Sequence, residues 1–166
     1  MKLKLDTIIP RHIPPKSIEG GDDHIFAAPN GLEIDVYRLV HLTKDSPITE
    51  ISTQELSRWL QEESWGDKTI SLSPIQVLKT YQESGYDLDN MAGQPPELIR
   101  HLRKIIHSDL SHPIITFRGR ILDGLHRLAK ASLLEHGTIQ AKVLDSIPKE
   151  AILKGHEEDV ETYFTD

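Results

Sequence analysis

The sequence contains no cysteine. This absence excludes disulfides, a thiolate nucleophile and thiolate metal ligands. The sequence also lacks an apolar run near the ~20 residues that a helix needs to cross a bilayer, and no basic segment followed by an apolar one opens the chain. We therefore expect a cytoplasmic protein that does not span a membrane.

Excess positive charge is lacking as well. The formal net charge is −7 at pH 7, whereas a general nucleic-acid-binding protein usually carries an excess of lysine and arginine. The window from Glu97 to Lys130 is an exception, because it holds seven Lys or Arg residues against three acids. A local positive region in an acidic protein favours a small anion over a long polyanion.

Several catalytic and metal-binding motifs are missing. The sequence has no Gly-x-Ser-x-Gly elbow, so a hydrolytic triad has no support. The four histidines from His101 to His126 have neither the His-x3-His nor the His-Glu-x-x-His spacing of a zinc site, and we expect them to be scattered on the surface. Trp59 and Trp65 are expected to be packing residues, with lining of a base or substrate pocket as the alternative for Trp65.

The length of 166 residues suits one domain that is large enough to bury most of its apolar surface. We predict an α+β fold with a small mixed sheet flanked by helices. An irregular N-terminal arm is expected over residues 1–31, the domain itself over residues 32–147, and an acidic C-terminal tail over residues 148–166.

Two signals describe the first part of the predicted domain. The β-branched segment with Ile34 and Val36 follows a turn and predicts a strand. Ser52 is followed three residues later by Glu55, which is the spacing of a capping box and predicts the start of a short helix.

The next two helices have strong start signals. Ser73 is a candidate N-cap, Pro74 suits the first helical position, Gln76 lies three residues after the cap, and Gly85 marks the end. A second helix is predicted from Pro96. Its apolar residues recur at helical spacing, namely Leu98, Ile99, Leu102, Ile105 and Ile106.

Residues 113–144 are predicted to form a strand, a tight turn, a strand, a helix and a last strand. The turn is placed at Arg118-Gly119, the helix starts at Gly124, and Gly137 stops it. The last strand is expected to be half-buried, with its alternating residues Ile139, Ala141 and Val143 on one face.

The helix start at Gly124 has the composition of an anion site. A helix N-terminus presents unpaired backbone N–H groups and a partial positive charge, and a glycine lets a ligand approach the backbone closely. His126, Arg127 and Lys130 add potential cations on or near one face. The alternative is a simple turn with solvated cations, in which Asp123 is the N-cap. Near a phosphate, Asp123 has three further options: it can hold Arg127 in place, share a metal ion with the phosphates, or act as a base.

The stretch "HPIITFRGRILDGLHRLAKA" resembles the signature of the ParB/sulfiredoxin superfamily. The resemblance is clear over residues 109–144 and extends loosely back to Val36. In that superfamily the element binds nucleotide phosphates at the helix N-terminus: ATP in sulfiredoxins, CTP in partition proteins, and ATP or ADP in free-serine kinases. The resemblance therefore implies nucleotide-binding roles for the residues of this element, which are Gly124, Leu125, His126, Arg127 and Lys130.

The departures from the superfamily restrict this expectation. Leu125 stands where sulfiredoxins have their catalytic cysteine, so sulfinic-acid reduction is excluded. The Gly-Leu-His-Arg element differs from the Gly-Glu-Arg-Arg of partition proteins, and only some twenty residues follow the final strand. The free-serine kinases use a glutamate near the first strand as catalytic base, and Glu50 or Glu55 lies in the corresponding region.

The function predicted first is nucleotide binding with transfer or hydrolysis of a phosphoryl group, by an ATP- or ADP-dependent phosphotransferase or nucleotidase. Mg²⁺ is expected on the nucleotide, near Asp123, and the phosphoryl acceptor is left open. One alternative is a ParB-like nucleic-acid-binding or nuclease module. The other is a non-catalytic module that senses a nucleotide and binds a protein.

Overall fold

The computed structural model describes residues 25–66 and 69–164. The described residues divide into two compact units, one formed by residues 25–47 and 143–164 and the other by those between 48 and 142. The predicted arm over residues 1–31 lies mostly outside the described residues. In the described ranges, every helix is too short or too polar to cross a membrane.

The strands and helices confirm a mixture of α and β structure. In chain order they are β1 (Ile25–Ala27), β2 (Glu33–Asp35), α1 (Val36–Leu42), β3 (Thr49–Ser52), a 3-10 helix (Gln54–Leu60), α2 (Pro74–Glu83), a 3-10 turn (Leu88–Met91), α3 (Pro96–His107), β4 (Ile114–Phe117), β5 (Arg120–Asp123), α4 (Leu125–Leu133), β6 (Thr138–Leu144), a 3-10 turn (Lys149–Ala151), β7 (Ile152–Lys154) and α5 (Glu157–Tyr163).

The first unit contains a three-stranded sheet in the order β1-β2-β7, with both pairs antiparallel. The strand predicted through Val36 was placed too far along the chain. The strand ends at Asp35, whose side chain accepts a hydrogen bond from the backbone N–H of Arg38 at 3.0 Å and caps α1. The segment predicted as an acidic tail supplies both β7 and α5 to this unit.

The second unit contains a four-stranded sheet in the order β3-β6-β4-β5. The strands therefore form two sheets, where the sequence predicted a single one. Strands β4 and β5 are an antiparallel hairpin in which Arg118 and Gly119 both have positive φ, 49° and 79°. The tight turn predicted at these two residues is confirmed.

Strand β6 follows the predicted alternation only in part. Ile139 and Ala141 are buried as expected, but Val143 is 50% exposed. Lys142 and Leu144 are buried instead, so the buried face changes after Ala141. The strict alternation predicted from Ile139, Ala141 and Val143 does not contain this change.

Helix α2 begins as its sequence predicts. Ser73 accepts a hydrogen bond from the backbone N–H of Gln76, and the side chain of Gln76 accepts one from the backbone N–H of Ser73 at 2.7 Å. Pro74 is the first helical residue, and Gly85 has a φ of +77° just beyond the end. The predicted start of α3 at Pro96 is confirmed as well.

The capping box predicted for Ser52 and Glu55 is wrong. Ser52 is the last residue of β3, and Thr53 precedes a 3-10 helix that has no side-chain cap. Ser52 Oγ instead accepts from the backbone N–H of Gln54 at 3.2 Å. Antiparallel pairing with β6, in which Ser52 lies opposite Thr138, outweighs the local capping signal.

The order strand, turn, strand, helix and strand predicted for residues 113–144 is confirmed. Helix α4 ends earlier than predicted, at Leu133, and Glu135 takes the left-handed conformation with φ 58° in place of Gly137. Leu128 and Ala129 of α4 are buried in the apolar core of this unit. They share that core with Leu102 and Ile105 of α3.

Candidate functional site

Gly124 is required by the backbone at the start of α4. Its φ is +104°, and a Cβ added there would lie 2.5 Å from Cγ2 of Ile114 and 3.0 Å from Nη2 of Arg127. Both the left-handed conformation and the close packing therefore demand glycine. The side of Gly124 that was expected to admit a ligand faces Ile114 instead.

The N-terminus of α4 has no side-chain cap. Gly124 itself occupies the cap position, and within the described residues no side chain, that of Asp123 included, accepts from the backbone N–H groups of the first turn. The first helical bond runs from the backbone N–H of Leu128 to the carbonyl of Gly124 at 2.9 Å. The backbone N–H groups of the first turn therefore point out of the helix without a capping side chain.

The guanidinium of Arg127 binds to the residue before β4 and to the last residue of β5. Its Nη2 donates to Oδ2 of Asp123 at 2.7 Å, and its Nη1 donates to the carbonyl of Pro113 at 3.0 Å. The side chains of Arg127 and Asp123 are only 16% and 22% exposed. Of the options considered for Asp123, the structure shows the one in which its carboxylate holds Arg127 in place.

The ammonium group of Lys130 is also hydrogen-bonded within the protein. Its Nζ donates to the carbonyls of Ile106 and Ser108 at 2.9 and 2.7 Å. These carbonyls lie at the C-terminal end of α3, where a cation is favoured by the helix dipole. Lys130 therefore ties α4 to the end of α3, and a direct contact with a phosphate would require it to leave these partners.

His126 and His101 form a hydrogen-bonded pair that joins α4 to α3. Nε2 of His126 lies 2.9 Å from Nδ1 of His101. The two rings are within 11° of parallel, and the indole of Trp65 lies over both, with ring centroids 4.4 Å from His126 and 4.5 Å from His101. We call these three residues the Trp–His cluster.

A carboxylate continues this chain of contacts. Oε1 of Glu97 lies 3.1 Å from Nε2 of His101, one helical turn away along α3. Glu97 is also paired with Arg100. A continuous line of hydrogen-bonding atoms therefore runs from Glu97 through His101 to His126.

Both histidines are neutral at physiological pH. Burial is the main cause that lowers the pKa of His126 to about 3, and His101 and the positive charges of Lys104, Arg100 and Arg127 contribute to the same shift. The pKa of His101 falls to about 4, again mainly through burial, although Glu97 opposes the shift. His126 was counted among the cations of the anion site. The expected positive charge on His126 is wrong, because a largely buried imidazole surrounded by cations stays neutral.

The expectation of scattered surface histidines is wrong for this pair. His101 is only 6% exposed, and His126 is in contact with it. The helical spacing of α3 contains the missed signal, since His101 lies three residues after Leu98 and four before Ile105, both of which are buried. The packing role predicted for Trp59 and Trp65 is confirmed, since each is 8% exposed.

Gly66, next to Trp65, allows the close backbone packing that accompanies the stacking of Trp65 on the two histidines. A Cβ at Gly66 would lie 2.4 Å from the carbonyl oxygen of Ile70 and 2.9 Å from the backbone nitrogen of Leu72. The chain can therefore fold back only with glycine there. The backbone N–H of Trp65 donates a hydrogen bond to the carbonyl of Leu72, at 3.0 Å.

The remaining predicted site residues are Glu50, Glu55 and Leu125, and their described contacts do not include the Trp–His cluster. Glu50 is exposed on β3, opposite Gln140, and Glu55 is exposed on the 3-10 helix. In the described part of the chain, neither carboxylate has an ion pair with the residues around α4. Leu125 is partly buried against the apolar core.

Asp123 is compatible with a shared magnesium ion only through its second carboxylate oxygen, because Oδ2 accepts from Arg127. Mg²⁺ at nucleotide sites takes one or two carboxylates and completes its shell with phosphates and water. No group of three or more His, Asp or Glu side chains suited to a metal ion occurs within residues 25–66 and 69–164.

In comparisons with family models, with curated proteins and with solved structures, nothing matched this chain. The resemblance to the ParB/sulfiredoxin superfamily stays a prediction based on the residues of β4, β5 and α4.

Proposed function

We propose that this protein binds a nucleotide with its phosphates at the first turn of α4 and transfers or hydrolyses a phosphoryl group. The observation that carries the proposal is the start of α4, which follows a strand directly, begins at a left-handed glycine and has no side-chain cap. Such a helix start offers backbone N–H donors and the positive end of the helix dipole to an anion.

The charges around His126 support the same conclusion. Arg100, Lys104 and Arg127 each lower the pKa of His126, which means that they produce a positive potential at the first turn of α4. Within this group, Arg100 is paired with Glu97 and Arg127 with Asp123. A positive potential in a partly buried place stabilises a bound phosphate more than the same charges would on an open surface.

The structure changes the roles that we assign to the predicted residues. A guanidinium has five N–H donors, and the bonds of Arg127 to Asp123 and Pro113 use two of them. Arg127 would bind a phosphate through the others. Lys130 would act mainly by holding α3 against α4. Mg²⁺ would come with the nucleotide and neutralise phosphate charge, with Asp123 as a candidate ligand. Glu50 and Glu55 remain candidate bases.

The test is calorimetric titration of the protein with ATP, ADP, CTP and GTP in the presence of Mg²⁺, followed by turnover of the nucleotide that binds. We expect one of these nucleotides to bind, and excess pyrophosphate to compete with it because the phosphates supply the contacts. Lack of binding by all four would exclude the proposal. Binding without release of phosphate or transfer to an acceptor would favour the nucleotide-sensing alternative.

A second candidate function, nucleic-acid binding, is favoured by one observation at the tip of the β4–β5 hairpin. The guanidinium groups of Arg58 and Arg120 lie 4.4 and 4.3 Å from the ring centre of Trp59, whose Nε1 donates to the carbonyl of Gly119 at 2.8 Å. Arg118 is exposed at the same tip. Stacked arginines bind phosphates and bases of single strands. Fluorescence anisotropy with labelled single-stranded DNA tests this candidate, and the Arg118→Ala variant should bind more weakly if it is correct.

A further inference from the structure

The hydrogen bonds from Glu97 to His126 have a direction. A neutral imidazole has one N–H, and a carboxylate only accepts. His101 therefore donates its N–H from Nε2 to Oε1 of Glu97, at 3.1 Å. Its Nδ1, which lies 2.9 Å from Nε2 of His126, is left as an acceptor.

The same reasoning determines the proton position on His126. Nε2 of His126 must carry the N–H, because it faces an acceptor. Nδ1 of His126 then has a lone pair and no proton. In the described residues this atom has no hydrogen-bond partner, and His126 is partly exposed. The Trp65 indole lies nearly parallel to both imidazoles, within 12°, and holds them in one plane.

We propose that Glu97 and His101 are positioning residues that hold His126 in the Nε2–H tautomer, so that its Nδ1 accepts a hydrogen bond from a hydroxyl group of the bound ligand. This inference rests on the proposed function, because the ligand's phosphate would lie at the first turn of α4, of which His126 is the second residue. The preferred ligand is therefore a phosphate ester that also carries a hydroxyl group.

The surroundings of His126 favour a neutral hydrogen-bond donor, such as a hydroxyl group, over charged partners. A carboxylate or a second phosphate oxygen would bring its lone pairs against the lone pair of Nδ1. An ammonium group would be repelled by the cations near His126, which are Arg100, Lys104 and Arg127. A neutral hydroxyl donates a hydrogen bond without either penalty.

The tautomer is tested first, on the ligand-free full-length protein, by long-range ¹⁵N–¹H correlation of the imidazole nitrogens at pH 7. We expect Nε2 of His126 to be protonated and Nδ1 to be unprotonated. Glu97→Gln keeps an amide oxygen as acceptor and should preserve this pattern. Glu97→Met has a similar size but no acceptor, so the signals of His126 should shift toward a mixture of tautomers. Both variants remove the same charge, so a purely electrostatic role would affect them equally.

Ligand recognition is tested with two probes that differ in their hydroxyl groups, glycerol 3-phosphate and n-propyl phosphate. Wild type should bind glycerol 3-phosphate roughly three- to ten-fold more tightly, as one net hydrogen bond allows, and only this probe should move the Nδ1 signal of His126. Glu97→Met should lose the preference, whereas Glu97→Gln and the exposed control Glu83→Gln should keep it. Melting curves of each variant establish that the fold is intact.

The outcomes separate this inference from the proposed function. A protonated Nδ1 in the ligand-free protein, or equal binding of both probes, would overturn the inference while leaving phosphate binding in place. If neither glycerol 3-phosphate nor n-propyl phosphate nor any nucleotide binds, phosphate binding fails and hydroxyl recognition fails with it. In that case the measured tautomer still decides whether Glu97 and His101 position His126.

Discussion

Helices α2 and α4 belong to the same unit and begin in opposite ways. The start of α2 is closed by its own side chains, because Ser73 and Gln76 satisfy each other's backbone N–H groups. The start of α4 has Gly124 at the cap position and, within the described residues, no side chain that accepts from the backbone N–H groups of its first turn. A closed helix start has a structural role only, whereas an open one leaves N–H donors for another partner.

The surroundings of the two starts differ as well. The first turn of α2 depends on residues within three positions of each other. The first turn of α4 is held by groups far away in the sequence, including the carbonyl of Pro113 for Arg127 and the ring of His101 for His126. Changes at α4 should therefore cost more stability than changes at α2, and they should also affect ligand binding.

The largest effect is expected for Gly124→Ala. The new Cβ would meet Ile114 at 2.5 Å and would occupy a φ of +104°, so we expect the free energy of unfolding to fall by about 3 kcal/mol or more. Chemical denaturation measures the loss. Gly137→Ala is the control, since Gly137 has no positive φ and no neighbour within 4 Å of an added Cβ. Similar losses for both variants would contradict the role assigned to Gly124.

Acid should weaken the Trp–His cluster next. The folded-state pKa values of about 4 for His101 and about 3 for His126 lie below the ordinary 6.5, so the unfolded chain binds protons first as the pH falls. The stabilisation is complete above pH 6.5 and is lost on acidification toward the folded-state values. We expect a loss of up to about 2 kcal/mol per histidine between pH 7 and pH 5.

Urea titrations at a series of pH values measure this dependence. The exposed His136, which lies outside the Trp–His cluster, provides the control through the variant His136→Gln. His126→Gln should reduce it. A free energy of unfolding that stays constant from pH 7 to pH 5 would show that the two histidines are not buried as a neutral pair.

Arg127→Ala should have a smaller effect on stability and a clear effect on binding. It removes the ion pair with Asp123 and the hydrogen bond to Pro113, which together contribute about 2 kcal/mol to the free energy of unfolding. Nucleotide binding should weaken by roughly ten- to a hundred-fold. Arg127→Lys should recover only part of the stability and part of the nucleotide binding, because a lysine cannot bridge the two acceptors as a guanidinium does.

Arg103→Ala is the matched control for Arg127, since Arg103 is an exposed member of the same positive region. It should change stability by less than about 0.5 kcal/mol and should change binding little. Melting curves without nucleotide give the stability, and calorimetric titrations with the same nucleotide for each variant give the binding. A loss of stability with unchanged binding in Arg127→Ala would make Arg127 a structural residue only.

The smallest effect is expected at α2. Ser73→Ala removes one partner of the capping box and should lower the free energy of unfolding by about 1 kcal/mol. Ser73→Asp keeps an acceptor at the cap and should restore most of this loss. Neither variant should alter nucleotide binding. A change in binding as large as that of Arg127→Ala would remove the distinction between the two helix starts.

The sequence predicts best where the determining contacts are local. The capping box at Ser73, the proline that opens α3 and the turn at Arg118-Gly119 each depend on neighbours within a few residues. Ser52 and Val36 are the exceptions. Their local patterns are genuine, but pairing of β3 with β6 and the cap of α1 by Asp35 prevail in the folded chain.

By itself, the sequence determines that a strand, a tight turn, a strand and a helix follow one another from Ile114 to Leu133, and that the helix starts at a glycine. Only the tertiary structure decides what the residues of that helix touch. His126 meets His101 across 25 positions of sequence, and Lys130 reaches Ile106 across 24. Whether a histidine is a cation or a neutral acceptor depends on its burial and on charges brought near it by packing, and a local pattern contains neither.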